Sequence, residues 1–321
     1  MPSIESIPGI EALWARTLGD PRVTIAVLDG PVDGGHPCFA GADLERCQGY
    51  WQTSAAVHDD YRTHATHVAS VIFGQHKSEV KGIAPRCRGI NIAVALDEQS
   101  TQCPLALTRG VDMARNCGAN ILHIAPCIQT SNGKGDDLLG RSIRLCIANN
   151  ILVIAPAGND NGECWCLPAA FPDVLAVGAL NDKGIPFKFS NWGGAYQNQG
   201  LVAPGENILG AEPGGITGRR KGTSCAAPLV TGVAALLMSM QLEKGEEPDA
   251  HCIRDVLLKS AQSCQSSDTG EPARCLAGKL NIPGAVQLLC DPRFARYRQA
   301  GATRSRRAAV QTGVFPRPPV S

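Results

Sequence analysis

A short run of small residues leads directly into the most apolar stretch of this chain. Residues 222–228 read Gly-Thr-Ser-Cys-Ala-Ala-Pro, and the apolar run extends from Cys225 to Met240. At 16 residues, with Pro, Thr and Gly inside it, this run predicts a helix buried in a protein core rather than a membrane span. The first amides of a helix have no partners within it, and the helix dipole is positive there. Ser224 therefore occupies a position where a neighbouring oxyanion would be stabilised.

Taken alone, Ser224 would more often be the N-cap of a core helix. Two other motifs change that interpretation. An apolar strand, residues 23–28, leads into Asp29, and the carboxyl ends of strands are where α/β sheets place their sites. His64 lies in a stretch of small residues, 63–69, that reads as a helix. An acid, a histidine and a serine thus follow in the order Asp29, His64, Ser224.

These motifs and their order resemble the subtilisin-like serine proteases, and the resemblance extends from about Leu13 to Leu289. It implies an α/β fold of three layers with a mostly parallel central sheet, and an activity that hydrolyses peptide bonds. By this resemblance Ser224 is the nucleophile, His64 is the general base and Asp29 orients that base. The base must be neutral, so we expect activity to fall below about pH 6–7.

The same resemblance assigns the residues that hold the substrate. Asn159 would donate its side-chain amide to the oxyanion, and Gly158 precedes it in the turn after an apolar strand. Without the resemblance, Asn159 reads as an ordinary turn residue. Ala125, Pro126 and Cys127 would pair with the substrate backbone, where relatives usually have Ser-Leu-Gly. Because proline cannot donate a ladder hydrogen bond, we expect substrate binding to differ from that of a general protease.

Two further stretches carry weaker expectations. Residues 97–103 match the place where relatives offer an edge strand to the substrate, and residues 201–205 are interpreted as a loop.

His64 and His67 are three residues apart on the predicted helix, a spacing that also suits two metal ligands. No third ligand has a matching spacing, so we expect no metal and no cofactor. The resemblance instead makes His67 structural.

The composition fits an ordinary globular α/β protein. The chain has 321 residues, of which 44% are hydrophobic and 18% charged, enough for a large core. Nearly continuous apolar strands alternate with helical patterns, as in sheets covered on both faces. The net charge of +1 gives no argument for a nucleic-acid or membrane partner, so the expected partner is a peptide substrate.

The chain is expected to form one peptidase domain, residues 1–290, followed by a basic tail, residues 291–321, that we predict to be disordered. The first residues show neither a basic nor an apolar signal region, which favours a cytoplasmic protein. Fourteen cysteines are many for such a protein. Their spacing shows no zinc pattern, so we expect most of them to be free and buried, with disulfides as the alternative.

A narrower resemblance connects the chain to the proteases that mature cyanobactin-type ribosomal peptides. It rests on residues 27–39, 189–200 and 203–211. One type of these enzymes removes the leader by hydrolysis, whereas the other macrocyclises and carries extra helices between its Asp and His motifs. Only 34 residues separate Asp29 from His64, which favours the leader-cleaving type.

Two alternatives remain open from the sequence. One is an intracellular protease of broad specificity, which would degrade casein readily. The other is a pseudoprotease that binds peptides without cutting them. Its support is Ala65, where relatives usually have glycine, together with the unusual segment 125–127.

Overall fold

A computed structural model describes residues 4–47, 58–95, 98, 103–130, 137–194, 196–264 and 270–294. Within these ranges the α-helices are α1 (Ile10–Trp14), α2 (Asp59–Phe73), α3 (Pro104–Asn116), α4 (Asp137–Ala148), α5 (Tyr196–Gln199), α6 (Thr223–Glu243), α7 (Ala250–Ser260) and α8 (Ile282–Cys290). The strands are β1 (Thr24–Asp29), β2 (Leu44–Cys47), β3 (Arg88–Ala93), β4 (Ile121–Ile124), β5 (Ile128–Thr130), β6 (Leu152–Pro156), β7 (Trp165–Leu167), β8 (Leu175–Leu180), β9 (Gly200–Pro204), β10 (Ile208–Glu212) and β11 (Ile216–Arg220). Short 3₁₀ helices span Ile4–Ser6, Pro37–Phe39 and Pro272–Cys275.

A seven-stranded parallel sheet forms the centre of the fold, in the order β2-β3-β1-β4-β6-β8-β9. Successive side chains of a strand point to opposite faces, and in β1 these faces belong to two different cores. Ile25 and Val27 join one apolar cluster, whereas Ala26 and Leu28 join the other. Apolar residues on both faces explain why β1 reads as a continuous hydrophobic run. The predicted α/β fold is confirmed.

Helix α6 crosses one face of this sheet. It packs against β4, β6, β8 and β9 and against α2. It is the one helix among the described ranges long and apolar enough to cross a membrane, but 94% of its most apolar window is buried in the protein. The interpretation of the 222–240 stretch as a core helix therefore holds. A Cβ on Gly232 would lie 2.4 Å from Cβ of Ile83, so α6 approaches its neighbour very closely there.

A β-hairpin made of β10 and β11 leads the chain into α6. It lies against α2, and the Ala211 amide of the hairpin donates to Oγ of Ser70 in α2 at 2.8 Å. At its tip, Nε2 of His36 donates to the carbonyl oxygen of Ile216 at 2.9 Å, since Nδ1 already accepts from the Cys38 amide. This hairpin holds the segment before Ser224 against the body of the protein.

Several predicted boundaries differ from the structure. Residues 200–204 form β9 at the edge of the central sheet, so the interpretation of 201–205 as a loop was wrong. Strand β4 ends at Ile124, two residues before Pro126, which could not donate a ladder hydrogen bond, so the predicted substrate segment 125–127 lies beyond the strand. Apart from residues 98 and 103, the stretch 97–103 lies outside the described residues, as does the predicted tail from residue 295 onward.

Ten cysteines are free and four form two disulfides, Cys127–Cys166 and Cys264–Cys275. The expectation that most would be free is confirmed, whereas the expectation that most would be both free and buried was wrong. Five of the free thiols are buried.

Candidate active site

Parallel strands bring the predicted site residues to one edge of the sheet. Strands β1, β4 and β6 are neighbours and run in the same direction, so their carboxyl ends meet. Asp29 ends β1, residues 125–127 follow β4, and residues 158–159 follow β6. The fold thus gathers residues that are up to 130 positions apart in the sequence, a separation counted from Asp29 to Asn159.

Asp29 and His64 form an acid–imidazole pair in which the carboxylate is buried and the imidazole is half-buried. Nδ1 of His64 lies 3.0 and 2.9 Å from the two carboxylate oxygens of Asp29. The Asp29 side chain is only 3% exposed, and its carboxylate also accepts from the Gly30 amide at 2.7 Å. An ionised carboxylate can only accept hydrogen bonds, so Nδ1 carries the proton. Nε2 of neutral His64 is then left with its lone pair, as a general base requires.

The charge state of His64 is set by opposing influences. Burial lowers its pKa, the Asp29 carboxylate raises it through charge and a hydrogen bond, and the Arg220 cation lowers it slightly. The net effect is a raised pKa. Arg220 is itself partly neutralised, because its Nε and Nη2 donate to Glu212 at 3.1 and 3.0 Å.

Ser224 lies in the first turn of α6, as the sequence predicts. Gly222 precedes the helix with φ of 141°, a value that only glycine adopts readily. Pro228 has no amide to donate back to the Ser224 carbonyl, four residues earlier, so the first turn is loosened at Ser224. A Cβ on Gly222 would lie 3.7 Å from Ser224 Oγ and 3.6 to 3.7 Å from both amide atoms of Asn159. The serine hydroxyl and the Asn159 amide therefore converge beside Gly222.

Asn159 is held in a fixed orientation. Its Oδ1 accepts from the Thr223 amide at 3.0 Å and from the Thr223 hydroxyl at 3.1 Å. With Oδ1 occupied, the NH₂ group of the same amide is left to donate elsewhere. Sequence reasoning missed this role of Thr223, although the residue lies beside Ser224 in the motif. The signal that could have identified it is a hydroxyl next to the helix start.

The two predicted substrate segments, residues 125–127 and 158–159, both contact Cys166 of β7. Cys127 of the 125–127 segment is bonded to Cys166 of β7, and β7 pairs antiparallel with β5. A Cβ on Gly158 would lie 2.9 Å from Sγ of Cys166, so the disulfide packs beneath the Asn159 turn. Ala125 is buried, whereas Cys127 is half-buried. The sequence alone did not reveal this pairing.

Two other buried histidines lie near the pair. Nε2 of His67 donates to the Ile208 carbonyl at 2.9 Å, which ties α2 to β10, and burial lowers its pKa to about 4. His123 in β4 contacts Oγ1 of Thr231 at 2.8 Å, and burial lowers its pKa to about 4 as well. The geometry of His67 fits the predicted structural role. His123 was not singled out from the sequence.

Neither of two other candidate sites involves the triad. The described residues contain one group with metal-ligating spacing, Cys127, Asp160 and Cys166, but its two sulfurs are bonded to each other. A cavity of about 620 Å³ lies between α1 and α8 and is lined by residues such as Leu13 and Val286. Its lining includes none of the predicted catalytic residues.

Comparison with known proteins places this arrangement in a family. The family model of the subtilases, peptidase family S8, matches residues 20–282. The major intracellular serine protease of Bacillus subtilis strain 168 is 30% identical over 254 residues, which cover 74% of this chain and 76% of that protein. The chain spans only about half (52%) of the subtilisin-like protease 1 of Arthroderma gypseum, with 29% identity.

Solved structures of peptide-maturation proteases resemble the chain along most of its length. The prenylagaramide maturation protease PagA is 50% identical, with a TM-score of 0.83, covering 88% of this chain and 99% of that one. The PatG macrocyclase in complex with peptide is 40% identical, with a TM-score of 0.85 and coverage of 89% and 97%. The patellamide maturation protease PatA is 48% identical, with a TM-score of 0.78 and coverage of 84% and 98%. The chain belongs to the subtilase family and is a subtilisin-like serine protease.

Proposed function

We propose that this protease removes the leader from a ribosomally made precursor peptide by hydrolysis. The observation that carries the proposal is the similarity to PagA and PatA, at 50% and 48% identity over nearly the whole of each solved chain. A protease that resembles maturation enzymes more than it resembles a broad-specificity one is expected to recognise a particular sequence.

The connection between Asp29 and His64 supports hydrolysis rather than macrocyclisation. Within the described part of its 34 residues lie the 3₁₀ helix Pro37–Phe39, β2 and the first residues of α2, joined by loops. A connection of this length is short for an additional water-excluding helical cap.

Catalysis would follow from the geometry of the described side chains. His64, with its proton on Nδ1 held by Asp29, takes the proton of the Ser224 hydroxyl as Oγ attacks the scissile carbonyl. The oxyanion that forms accepts from the Asn159 side chain and from the amide at the start of α6. His64 then donates the proton to the leaving amine, and a water molecule releases the acyl group by the same steps.

The test uses the full chain and synthetic precursor peptides that contain a leader, a junction and a core. Products are separated and weighed by mass spectrometry, since a hydrolysed core is heavier than its macrocycle by one water molecule. We expect one cut at the junction and a linear core, and no product with Ser224→Ala. A cyclic core would contradict the hydrolytic assignment, and cuts scattered throughout the leader would contradict the maturation role.

The second candidate function is a broad-specificity intracellular protease, which the 30% identity to the Bacillus subtilis enzyme favours. Casein degradation at a rate comparable with junction cleavage would support it. Labelling of Ser224 by a fluorophosphonate separates both from a non-cutting pseudoprotease, because only an activated serine reacts.

We also infer that the protein works in the cytoplasm. Its ten free cysteines, five of them buried, are typical of a reducing compartment, whereas its two disulfides are not. Fractionation of the producing cells with an antibody against the protein tests this, and recovery outside the cytoplasm would contradict it.

A further inference from the structure

The turn that carries Asn159 is held by a second segment of the chain, residues 189–192. Two hydrogen bonds between backbone groups, of 3.0 and 3.1 Å, join this segment to residues 161–162 at the far end of the turn. The near end of the turn, which carries Asn159, is bound by one residue of the same segment, Asn191.

Asn191 makes three hydrogen bonds to the residues on either side of Asn159. Its backbone amide donates to the carbonyl oxygen of Gly158 at 3.0 Å. Its side-chain Oδ1 accepts from the Asp160 amide at 2.8 Å, and its Nδ2 donates to the Asp160 carboxylate at 2.7 Å. Both chain neighbours of Asn159 are therefore bound to the same residue.

The side chain of Asn191 is fully buried, and its two polar atoms cannot be interchanged. The Asp160 amide needs an acceptor and the Asp160 carboxylate needs a donor, and a single carboxamide supplies both. A Cβ on Gly158 would lie 2.3 Å from Nδ2 of Asn191, so this carboxamide packs directly on the backbone of the turn. Leaving either of its buried partners unpaired would be costly, which makes Asn191 specific for this place.

Two separate sets of contacts define where the NH₂ group of Asn159 lies. Thr223 donates to Oδ1 of Asn159 and orients the side chain. Asn191 fixes the backbone before and after Asn159, and so the point from which this side chain projects. An oxyanion donor must lie about 2.7–3.1 Å from the charge that develops, so a shift of the backbone would displace the donor from its position.

We propose that Asn191 is a positioning residue for the oxyanion donor: by binding Gly158 and Asp160 it holds Asn159 where its NH₂ group meets the transition state. The proposal rests on the catalytic role proposed for Asn159, and not on the leader-cleaving role. A misplacement of about 1 Å can cost about 10²-fold in rate. We therefore expect the loss of these contacts to lower kcat by about 10- to 100-fold with little change in KM, since the donor acts in the transition state.

The experiment exchanges the polar groups of the Asn191–Asp160 pair. Asn191→Asp keeps the shape and the acceptor but places a second carboxylate against that of Asp160. Asn191→Asp/Asp160→Asn again sets one amide against one carboxylate, with the two positions exchanged. Asn281→Asp is the matched control, since Asn281 also accepts from a backbone amide and donates to a carbonyl, at the start of α8.

Values of kcat and KM are measured on a fluorogenic peptide that the wild type cleaves. Active protein is counted by complete labelling of Ser224 with a fluorophosphonate, so that rates refer to folded protein. We expect Asn191→Asp to lose about 10- to 100-fold in kcat, the exchanged pair to recover most of this loss, and the control to equal the wild type. Added to Asn159→Leu, Asn191→Asp should cause no further loss, because the donor that it positions is already absent.

Three results would overturn the proposal. They are an unchanged kcat in Asn191→Asp, an equal loss in the exchanged pair, and a loss that persists in full when Asn159 is already Leu. If Asn191→Asp takes no label because it fails to fold, Asn191→Ala, which adds no repulsion, is judged by its kcat and by its combination with Asn159→Leu.

The outcomes also separate this inference from the claims beneath it. An unchanged kcat in Asn159→Leu would contradict the catalytic role of Asn159, and this inference with it. A full loss in Asn159→Leu together with none in Asn191→Asp would contradict this inference alone. Hydrolysis of the fluorogenic peptide without cleavage of leader–core peptides would contradict only the proposed maturation role.

Discussion

At the scale of single residues, Asp29 determines which nitrogen of His64 can act as a base. The carboxylate accepts the Nδ1 proton at 2.9 to 3.0 Å and so leaves Nε2 free for Ser224. An asparagine would have the same shape, but its NH₂ group can donate to Nδ1, which favours the wrong tautomer of His64. We expect Asp29→Asn to lower kcat about 10⁴-fold, the size known for the equivalent change in another serine protease.

Steady-state kinetics on a fluorogenic peptide provides the measurement. Asp33→Asn is the matched control, since Asp33 is an acid of the same segment whose carboxylate bonds to the Gly35 and Gly214 amides instead. A loss of less than tenfold in Asp29→Asn would contradict the orienting role.

The pH profile follows from the same pair. Burial lowers the His64 pKa, but the Asp29 carboxylate outweighs it and the net shift is upward. In the proposed mechanism neutral His64 is the base, so kcat/KM should rise with pH through a midpoint above the usual value of about 6.5. Removing the negative charge with Asp29→Asn should move the midpoint down. A midpoint that stays in place in Asp29→Asn would show that another group controls the profile.

Thr223 is expected to act through Asn159. Replacing Asn159 with Leu removes the proposed oxyanion donor and should cost about 10²–10³-fold in kcat with little change in KM, an effect measured in a subtilisin.

Thr223→Val removes the hydroxyl, one of the two groups that donate to Asn159, but keeps the Thr223 backbone amide, which is the other. We expect a smaller loss in kcat, and no further loss when Thr223→Val is added to Asn159→Leu. Additive losses in the double variant would show that Thr223 acts independently.

At the scale of elements, the close approach of α6 to its neighbours can be tested with two helical glycines. A Cβ on Gly232 would lie 2.4 Å from Cβ of Ile83, so Gly232→Ala should lower the free energy of unfolding by about 1–3 kcal/mol through overpacking. In α4, a Cβ on Gly140 would meet only the mobile end of Arg144 and the edge of Phe171, at 3.3 and 3.4 Å. Gly140→Ala should therefore stabilise by up to about 1 kcal/mol. Urea unfolding in a Ser224→Ala background, which prevents self-digestion, gives both values; equal effects would contradict the packing argument.

At the scale of the whole molecule, the buried histidines make stability depend on pH. His67 and His123 have pKa values near 4 in the folded protein, whereas an unfolded chain protonates histidine near 6.5. The unfolded state thus binds more protons between these values, and stability is lost as pH falls from about 6.5 to about 4. Each histidine contributes up to about 3 kcal/mol to this loss. His64, with its raised pKa, acts in the opposite direction: it contributes stability below about 6.5, and that contribution is lost as pH rises through its folded pKa.

Urea titrations between pH 4 and pH 8 measure this dependence. We expect His67→Gln and His123→Gln each to remove about half of the stability loss between about pH 6.5 and pH 4. His251→Gln is the control, since His251 is exposed on α7 and should leave the slope unchanged. If all three variants lose the same stability between about pH 6.5 and pH 4, groups other than His67 and His123 cause the loss.

The sequence by itself determined the class of fold, the core helix and the order of the predicted catalytic residues. Each of these is a local pattern: continuous apolar strands, small residues around His64, and a small-residue turn before an apolar helix at Ser224. Strand β9, which contains Leu201, was misread as a loop because Pro204 and Gly205 indicate a turn, while its edge position in the sheet is a tertiary property.

Only the tertiary structure decided which distant groups meet. The parallel order β1-β4-β6 brings residues 125–127 beside the Asn159 turn, and the antiparallel pair β5–β7 then places Cys127 against Cys166. No local pattern encodes that contact, since fourteen cysteines allow many pairings and the choice depends on the sheet register. The pairing of Thr223 with Asn159 arises in the same way, from two loops that converge at one edge of the sheet. The identities of the reacting groups can thus be read along the chain, whereas the shape of the site that surrounds them depends on strand order and register.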